Sequence, residues 1–287
     1  MSKIIVNKIG DALGAEISGV DLTQPFAPEL ATELNHIWHE NLVLRFRGQA
    51  LSDPQLLALT CYFGEIDPPG PNPQGKPYLS EFPEINVISN IKEGDTPIGG
   101  LGDGEAIWHT DMTYINTPPK GAFLHALELP PSGGDTSWAN MYMAYADLSS
   151  DMKKTIADKK AIHDSTYNSA GMMRKGMQEV TDPRQAPGAH HPLVVVHPVT
   201  GKSVIFLGRR RNSYILGLTL AESEELLDEL WAHVSQSKYV FTQVWQPYDL
   251  MLWDNHATIH RRDSFDSKTR RLMHRTQIKG SQLTALQ

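Results

Sequence analysis

The sequence predicts a mainly β protein with flanking helices (α+β), its strands forming a barrel or sandwich and its helices packed outside. Three observations predict it. Short segments of alternating apolar character recur along the whole chain. Helical periodicity is confined to a few stretches. Strands and helices do not alternate in the regular way that a parallel βαβ sheet requires. A chain of 287 residues suffices for one large domain or two small ones, and no internal repeat or linker divides this one, so a single domain over 1–287 is expected.

Taken in order, Gly14-Ala15-Glu16-Ile17-Ser18-Gly19-Val20-Asp21-Leu22 alternates and ends in a turn. Ala27 to Asn41 carries Leu30, Leu34, Ile37 and Trp38 at helical spacing, and Leu42 to Phe46 resumes as a strand. Asp53 to Tyr62 reads as a short helix, capped by Ser52 or Asp53 and stopped at Phe63-Gly64. Residues 67–76, dense in Pro and Gly, and the Gly-rich, acidic 91–104 read as loops on either side of a strand over Ile85 to Asn90. This insertion, near 64–106, is either a mobile lid or an ordinary surface excursion. A strand over Ala122 to Leu129, a turn at Pro130-Pro131-Ser132-Gly133-Gly134 and a strand over Asp135 to Asn140 follow. Met141 to Lys159 reads as one amphipathic helix and Ala161 to Ser165 as a strand. The polar residues 166–191 look like a second insertion over a site. Pro192 to Leu207 reads as a hairpin turning at Pro198 to Lys202, and Leu218 to Ser235 as an acidic helix. Phe241 to His260 and Arg270 to Lys279 supply the final strands.

Composition excludes several classes. Asp and Glu number 33 against 26 Lys and Arg, a net charge of −7, and the basic residues are scattered rather than massed. That argues against nucleic acid as a partner, because such binding rests on a basic face. With 40% hydrophobic and 21% charged residues the chain is too apolar for disorder. The single cysteine, Cys61, excludes an internal disulfide and fits a reducing compartment. The first residues, Met1 to Asn7, lack the apolar core of a signal peptide, and no stretch approaches the length needed to cross a bilayer. A cytoplasmic homo-oligomer with no membrane partner is therefore expected.

Chemistry concentrates in three places. In Trp108-His109-Thr110-Asp111-Met112-Thr113-Tyr114 the His and Asp are two apart in a segment of strand character, so both point to one face. One imidazole and one carboxylate make half of a divalent-metal site. A second His would complete the 2-His-1-carboxylate set that leaves positions open on non-haem Fe(II). Trp253-Asp254-Asn255-His256-Ala257-Thr258-Ile259-His260 offers two candidates. In an extended strand they lie about 13 Å apart, at roughly 3.3 Å per residue, so only one reaches the metal. Spacing alone leaves His256 and His260 both open. In Arg270-Arg271-Leu272-Met273-His274-Arg275, Arg271 and Arg275 share a face. Either that face is solvent, or each guanidinium meets an anion.

Together these segments resemble the taurine dioxygenase / 2,4-dichlorophenoxyacetate dioxygenase family of Fe(II)/2-oxoglutarate oxygenases. The resemblance runs from Gly14 to Arg275. Its most specific pieces are Trp108-His109-Thr110-Asp111, Pro130-Pro131-Ser132-Gly133-Gly134-Asp135-Thr136, Trp253-Asp254-Asn255 followed by His260, and Arg271 with Arg275. It implies a double-stranded β-helix (jelly-roll, cupin-like) core. It also implies His260 as the distal ligand, five residues after Asn255, so that His109, Asp111 and His260 hold the iron and serve catalysis. Thr136 and Arg271 match the residues that hold the distal carboxylate of 2-oxoglutarate. Arg275 matches an arginine near the metal that grips an anionic group of the substrate or borders the cosubstrate. The implied activity is hydroxylation of a small anionic organic substrate, consuming O2 and converting 2-oxoglutarate to succinate and CO2. His256 falls where the family varies, and Trp253 is expected to pack.

The pocket departs from the taurine-specific pattern. No His lies around Asp67-Pro68-Pro69-Gly70-Pro71, and Glu105 stands four residues before His109, where the taurine enzyme has Asn. Glu105, facing the pocket, would favour a cationic group such as that of an amino acid. The run Arg209-Arg210-Arg211 follows a strand expected to line the site, and Arg211 is taken as a further substrate contact, the alternative being a solvated face. Within the class, an alkyl sulfatase or an amino-acid hydroxylase is the alternative to a carboxylate, sulfonate or aryloxyalkanoate oxygenase. Outside it stand a non-catalytic jelly-roll that binds a metal or anion, and a Zn hydrolase using the same three ligands.

Overall fold

Two antiparallel-rich sheets face one another across the interior of the protein. The computed structural model describes residues 4–70 and 76–286. Residues 71–75 of the expected loop, and Met1, Ser2 and Lys3 of the first stretch, lie outside them. Among the described residues, the larger sheet runs in the order Ile5–Lys8, Ala15–Ser18, Val43–Phe46, Leu250–Asp254, Gly121–Glu128, Leu272–Ile278, Asn86–Ser89, Gly100–Leu101, with Ile66–Asp67 also pairing on Leu272–Ile278. The smaller sheet is ordered Val240–Gln243, Thr136–Asn140, Thr258–Arg262, Ala106–His109.

The period of two in each central strand divides its side chains between two cores. Leu250 and Leu252 pack with Trp38, Leu34, Leu56 and Phe63 under the helices Pro28–Asn41 and Asp53–Cys61. Met251 and Trp253, on the opposite face, pack with Trp138, Leu124 and Ile259 between the sheets. Strand Leu272–Ile278 divides in the same way: His274 bonds Asp53 and Thr276 bonds Thr60 on the helix side, while Met273 joins the inner core. Because both faces are covered, Leu250–Asp254 carries apolar residues at every position but the last. At Gly121 the sheet and the first helix approach so closely that a Cβ would meet the Trp38 ring at 2.5 Å and the Trp253 carbonyl at 2.8 Å, so a side chain there would push them apart.

Most expected elements are observed within a few residues of their predicted bounds. The helix Asp53–Cys61 starts with a capping box between Ser52 and Gln55, and Leu220–Val234 with one between Thr219 and Glu222. The hairpin pairs Val194–Val196 with Ser203–Ile205. Four expectations are corrected. Met141–Lys159 is two helices, Met141–Ala146 and Ser150–Ile156, because Ser149 caps the second by accepting from the Met152 N–H. The insertion 166–191 ends in a strand, Gly188–Pro192, paired with Lys160–Asp164. The strand through the first motif stops at His109, and Asp111 lies in the turn that follows. His256 and His260 do not share an extended strand: residues 255–257 form a turn between Leu250–Asp254 and Thr258–Arg262. No described helix is long and apolar enough to cross a membrane.

Candidate functional site

The site is assembled where the two sheets face each other. Across the smaller sheet, His109 sits directly opposite His260, and His260 opposite Trp138. Cross-strand neighbours share a face, so the two imidazoles lean together, ring centroids 4.2 Å apart. Two residues further along the same strands, Thr136 lies opposite Arg262. The facing sheet contributes Trp253, Arg271 and Arg275 to the same cavity.

Asp111 reaches the imidazoles from its turn, and two long-range contacts hold it there. Asn255 Oδ1 accepts from the Asp111 N–H at 2.9 Å, and Asn255 Nδ2 donates to the Asp111 carbonyl at 3.1 Å and to that of Pro119 at 2.9 Å. The Thr110 N–H donates to the Gly208 carbonyl, and Met112 takes a positive φ of 51°. The carboxylate then lies 3.7 Å from His109 Nε2 through one oxygen and 3.7 Å from His260 Nε2 through the other. One ligand atom from each of the three residues falls within 4.8 Å of the others, and all three side chains are buried.

The donor set fits a divalent metal. His109 Nδ1 donates to the Ile107 carbonyl at 2.7 Å, which leaves the Nε2 lone pair facing Asp111. Burial lowers the pKa of His109, and lowers that of His260 well below the usual imidazole range, so both rings are neutral at pH 7. Burial alone would raise the pKa of Asp111. Arg275, which donates to both carboxylate oxygens, outweighs it and holds the carboxyl well below its ordinary value. Two neutral imidazoles and one carboxylate on a single side suit an N,N,O facial set with positions left open.

A second group, His39, His197 and Asp254, also brings ligand atoms together. Here hydrogen bonding argues against a metal. His197 Nδ1 accepts the N–H groups of Val199 and Thr200, so its proton is on Nε2 and donates to Asp254 at 3.0 Å. Asp254 also receives the N–H groups of His256 and Ala257 and is 3.3 Å from His39 Nδ1. The group pins the turn that leads into the His260 strand.

Arg271 is 1% exposed; among the described residues its guanidinium makes one hydrogen bond, a 3.4 Å donation to the Gly134 carbonyl, and lies over the Phe265 ring at 5.9 Å, while Nε has no hydrogen-bond partner there. Burial, together with the neighbouring Arg262, pushes its pKa down to about 9. Thr136 lines the same cavity and its hydroxyl accepts from Trp245. Arg275 donates through one nitrogen to both Asp111 oxygens, at 3.1 and 3.0 Å. The alternative that the Arg271 and Arg275 face is solvent is corrected: both line the cavity, whereas Arg270 is on the surface paired with Glu128 and His274 is paired with Asp53.

His256 is buried with Nε2 against the Pro118 carbonyl, away from the His–Asp–His group. Two sequence candidates do not reach the cavity. Glu105 is exposed and pairs with Arg261 at 3.5 Å, because the strand beginning at Ala106 turns the preceding residue outward. Arg211 is exposed and lies over the Tyr167 ring at 3.4 Å, and Arg210 pairs with Glu224 and Asp228. It is Arg209 that turns inward. The residues that sequence reasoning missed are thus Asn255, quoted in its motif without a role, Arg262 and Arg174, while Arg209 is named within its run but not singled out. Arg262 donates to the carbonyls of Leu101 and Gly104, and its Nε has no partner among the described residues. Residues from both insertions line the cavity, among them Gly70, Tyr78, Leu101, Asn168 and Met172.

Comparison with known proteins gives the same picture. The model of the taurine catabolism dioxygenase TauD, TfdA family matches residues 6–277. The chain is 28% identical over 280 residues to the alpha-ketoglutarate-dependent 2,4-dichlorophenoxyacetate dioxygenase of Cupriavidus pinatubonensis, covering 95% of this chain and 96% of that protein. It is 32% identical to pentalenolactone F synthase of Streptomyces arenae, over 92% and 91% of the two chains. Among solved structures, AAD-2 in complex with Mn(II) and N-oxalylglycine superposes with a TM-score of 0.80 at 28% identity, over 99% of this chain and 100% of that one.

Proposed function

The chain belongs to the taurine catabolism dioxygenase TauD, TfdA family, and from that premise we propose that it is an Fe(II)- and 2-oxoglutarate-dependent dioxygenase that hydroxylates a small organic acid. The observation that carries this reading is the convergence of His109, Asp111 and His260 beside a buried, almost unpartnered Arg271. A module that binds a metal alone has no use for a buried cation lining the same cavity. A 2-oxo diacid that must bind the metal at one end has a second carboxylate to place.

In this assignment His109, Asp111 and His260 hold Fe(II), which when bound with 2-oxoglutarate supplies the oxidative chemistry with O2. The chain does the rest. Arg271 receives the distal carboxylate of 2-oxoglutarate as a two-pronged donor, with Thr136 beside it. Asn255 keeps Asp111 in place by binding both its N–H and its carbonyl. Trp138, Trp253 and Leu124 exclude water from the inner cavity. Arg275 borders both the metal ligands and the outer cavity, where it can exchange part of its contact with Asp111 for an anionic group of the substrate. The facing sheets of this interior form the double-stranded β-helix core, and 1–287 acts as one domain. The substrate class is a carboxylate, sulfonate or aryloxyalkanoate, as the names of the relatives suggest.

The test is formation of succinate and CO2 from 2-oxoglutarate. Turnover should require Fe(II) and O2 and should rise when an organic acid from these classes is supplied. Hydrolytic turnover with Zn(II) and without 2-oxoglutarate would favour the hydrolase instead.

A further inference from the structure

The outer cavity, toward which Asp111 faces, is strongly cationic. It opens from the Asp111 side of the metal ligands, and the charged side chains lining it among the described residues are Asp111, Arg174, Arg209 and Arg275. Three guanidinium groups face one carboxylate, and that carboxylate is the one assigned to the metal. Arg275 already contacts Asp111. Arg174 stacks on the Tyr114 ring at 3.9 Å and donates to the Ser165 carbonyl.

Arg209 is the informative one. It is 9% exposed, forms no ion pair among the described residues, and its Nε has no hydrogen-bond partner there. Burial, reinforced by Arg174 and Arg275, pushes its pKa down to about 10, so it is still charged at neutral pH. Its position is fixed by chain geometry. Gly208, immediately before it, lies so close to His163 and Thr113 that a Cβ would collide with both side chains, and its carbonyl accepts from Thr110 beside Asp111. The backbone next to Arg209 is thus tied to the backbone next to a metal ligand. A buried guanidinium without a paired anion is unfavourable, and among the described lining residues the one carboxylate within its electrostatic reach is Asp111, which already pairs with Arg275 and is assigned to the metal.

We propose that the substrate carries two anionic groups, one received by Arg275 and the other by Arg209 with Arg174, three guanidinium groups that line the same cavity. This rests on the dioxygenase reading above and narrows it to dianionic organic acids. Glu105, which would have drawn a cationic group, faces solvent, so the described lining offers no carboxylate except Asp111. The apolar and aromatic side chains of Met112, Met172, Ile88, Tyr78 and Tyr114 suit the carbon frame between the two charges.

The experiment uses the full chain with Mn(II) and saturating 2-oxoglutarate under nitrogen, and measures binding by calorimetry. The probes are matched pairs: phenoxyacetate against 4-carboxyphenoxyacetate, and propane-1-sulfonate against 3-sulfopropanoate. Saturating 2-oxoglutarate prevents the diacids from occupying its place. In at least one pair the dianion should bind tighter by roughly tenfold to a hundredfold, the range expected for one added charge-assisted contact. Arg209→Gln should erase that preference, whereas Arg210→Gln, which removes the same charge from the surface, should keep it. Arg209→Met should also raise the melting temperature of the free protein, a readout independent of any ligand. Equal affinity within both pairs, or a preference that survives in Arg209→Gln, overturns the proposal. Failure of Mn(II) and 2-oxoglutarate to bind at all would instead overturn the dioxygenase reading beneath it.

Discussion

Replacing Arg271 by Met removes a charge that the free protein holds at a loss and that the cosubstrate needs. The side chain is 1% exposed with one hydrogen bond among the described residues, 3.4 Å to the Gly134 carbonyl, and burial brings its pKa from 12.5 to about 9. At about 1.36 kcal/mol per pKa unit, that fall disfavours the charged form by up to ~5 kcal/mol, and mutational experience with unpaired buried groups puts the cost nearer ~1–3 kcal/mol. Arg271→Met should therefore stabilise the free protein by about 2 kcal/mol, which for a chain of this size is a rise of several degrees in melting temperature. The same substitution should cost 2-oxoglutarate its two-pronged partner. Two charge-assisted hydrogen bonds in a buried site contribute about 3–4 kcal/mol together, so affinity should fall by roughly a hundredfold to a thousandfold. Arg271→Lys keeps the charge without the planar fork and should fall between, at about tenfold to thirtyfold. Melting curves with and without 2-oxoglutarate, in Mn(II) under nitrogen, read both effects in one series. If Arg271→Met and Arg271→Lys bind 2-oxoglutarate within twofold of wild type, the cosubstrate carboxylate lies elsewhere and the reasoning fails.

Thr136→Val should weaken 2-oxoglutarate less than either Arg271 variant, about threefold to tenfold, since a neutral hydroxyl contributes about 1 kcal/mol; a larger loss than Arg271→Met would reverse their order of importance. Asn255→Ala should lower metal affinity by about 10–100-fold, because Asp111 loses the side chain that holds both its N–H and its carbonyl. Calorimetric titration with Mn(II) checks it, and unchanged affinity would show that the turn keeps its shape unaided. The metal-free protein should lose stability below about pH 6.5. His163 is buried and its pKa is well below the usual imidazole value, chiefly through burial, so the unfolded chain takes up a proton there that the folded chain refuses. Denaturant titrations in chelator at pH 8 and pH 5.5 measure the drop, and His163→Gln should make it shallower; a slope unaffected by that change would place the titrating group elsewhere.

The motifs were legible because each is local. His-x-Asp, Trp-Asp-Asn followed by His, and the two arginines four apart are short strings whose residue types announce metal or anion chemistry. The period of two in Leu272–Ile278 puts Arg271 and Arg275 on one side but leaves open whether that side is solvent: Arg271 and Arg275 line the cavity and Met273 joins the core between the sheets, while His274 and Thr276 meet the helices. What the sequence obscured depends on contacts between distant segments. Asp111 shares a side with His109 not because a strand continues but because Asn255, 144 positions away, grips the turn. The choice of Arg209 over Arg211 as the inward guanidinium follows from Gly208 packing against Thr113 and His163, a contact invisible in a run of three identical residues. The single helix expected over Met141–Lys159 overlooked Ser149, whose hydroxyl caps a new helix where the apolar periodicity alone runs on.

The central claim is that His109, Asp111 and His260 hold one metal ion. Titration of Mn(II) with N-oxalylglycine into wild type, His256→Ala and His260→Ala tests it most directly. The account predicts one Mn(II) per chain in wild type, comparable binding in His256→Ala, whose Nε2 faces the Pro118 carbonyl and whose ring lies edge-on to His197, and no measurable binding in His260→Ala. Binding retained in His260→Ala and lost in His256→Ala would contradict it.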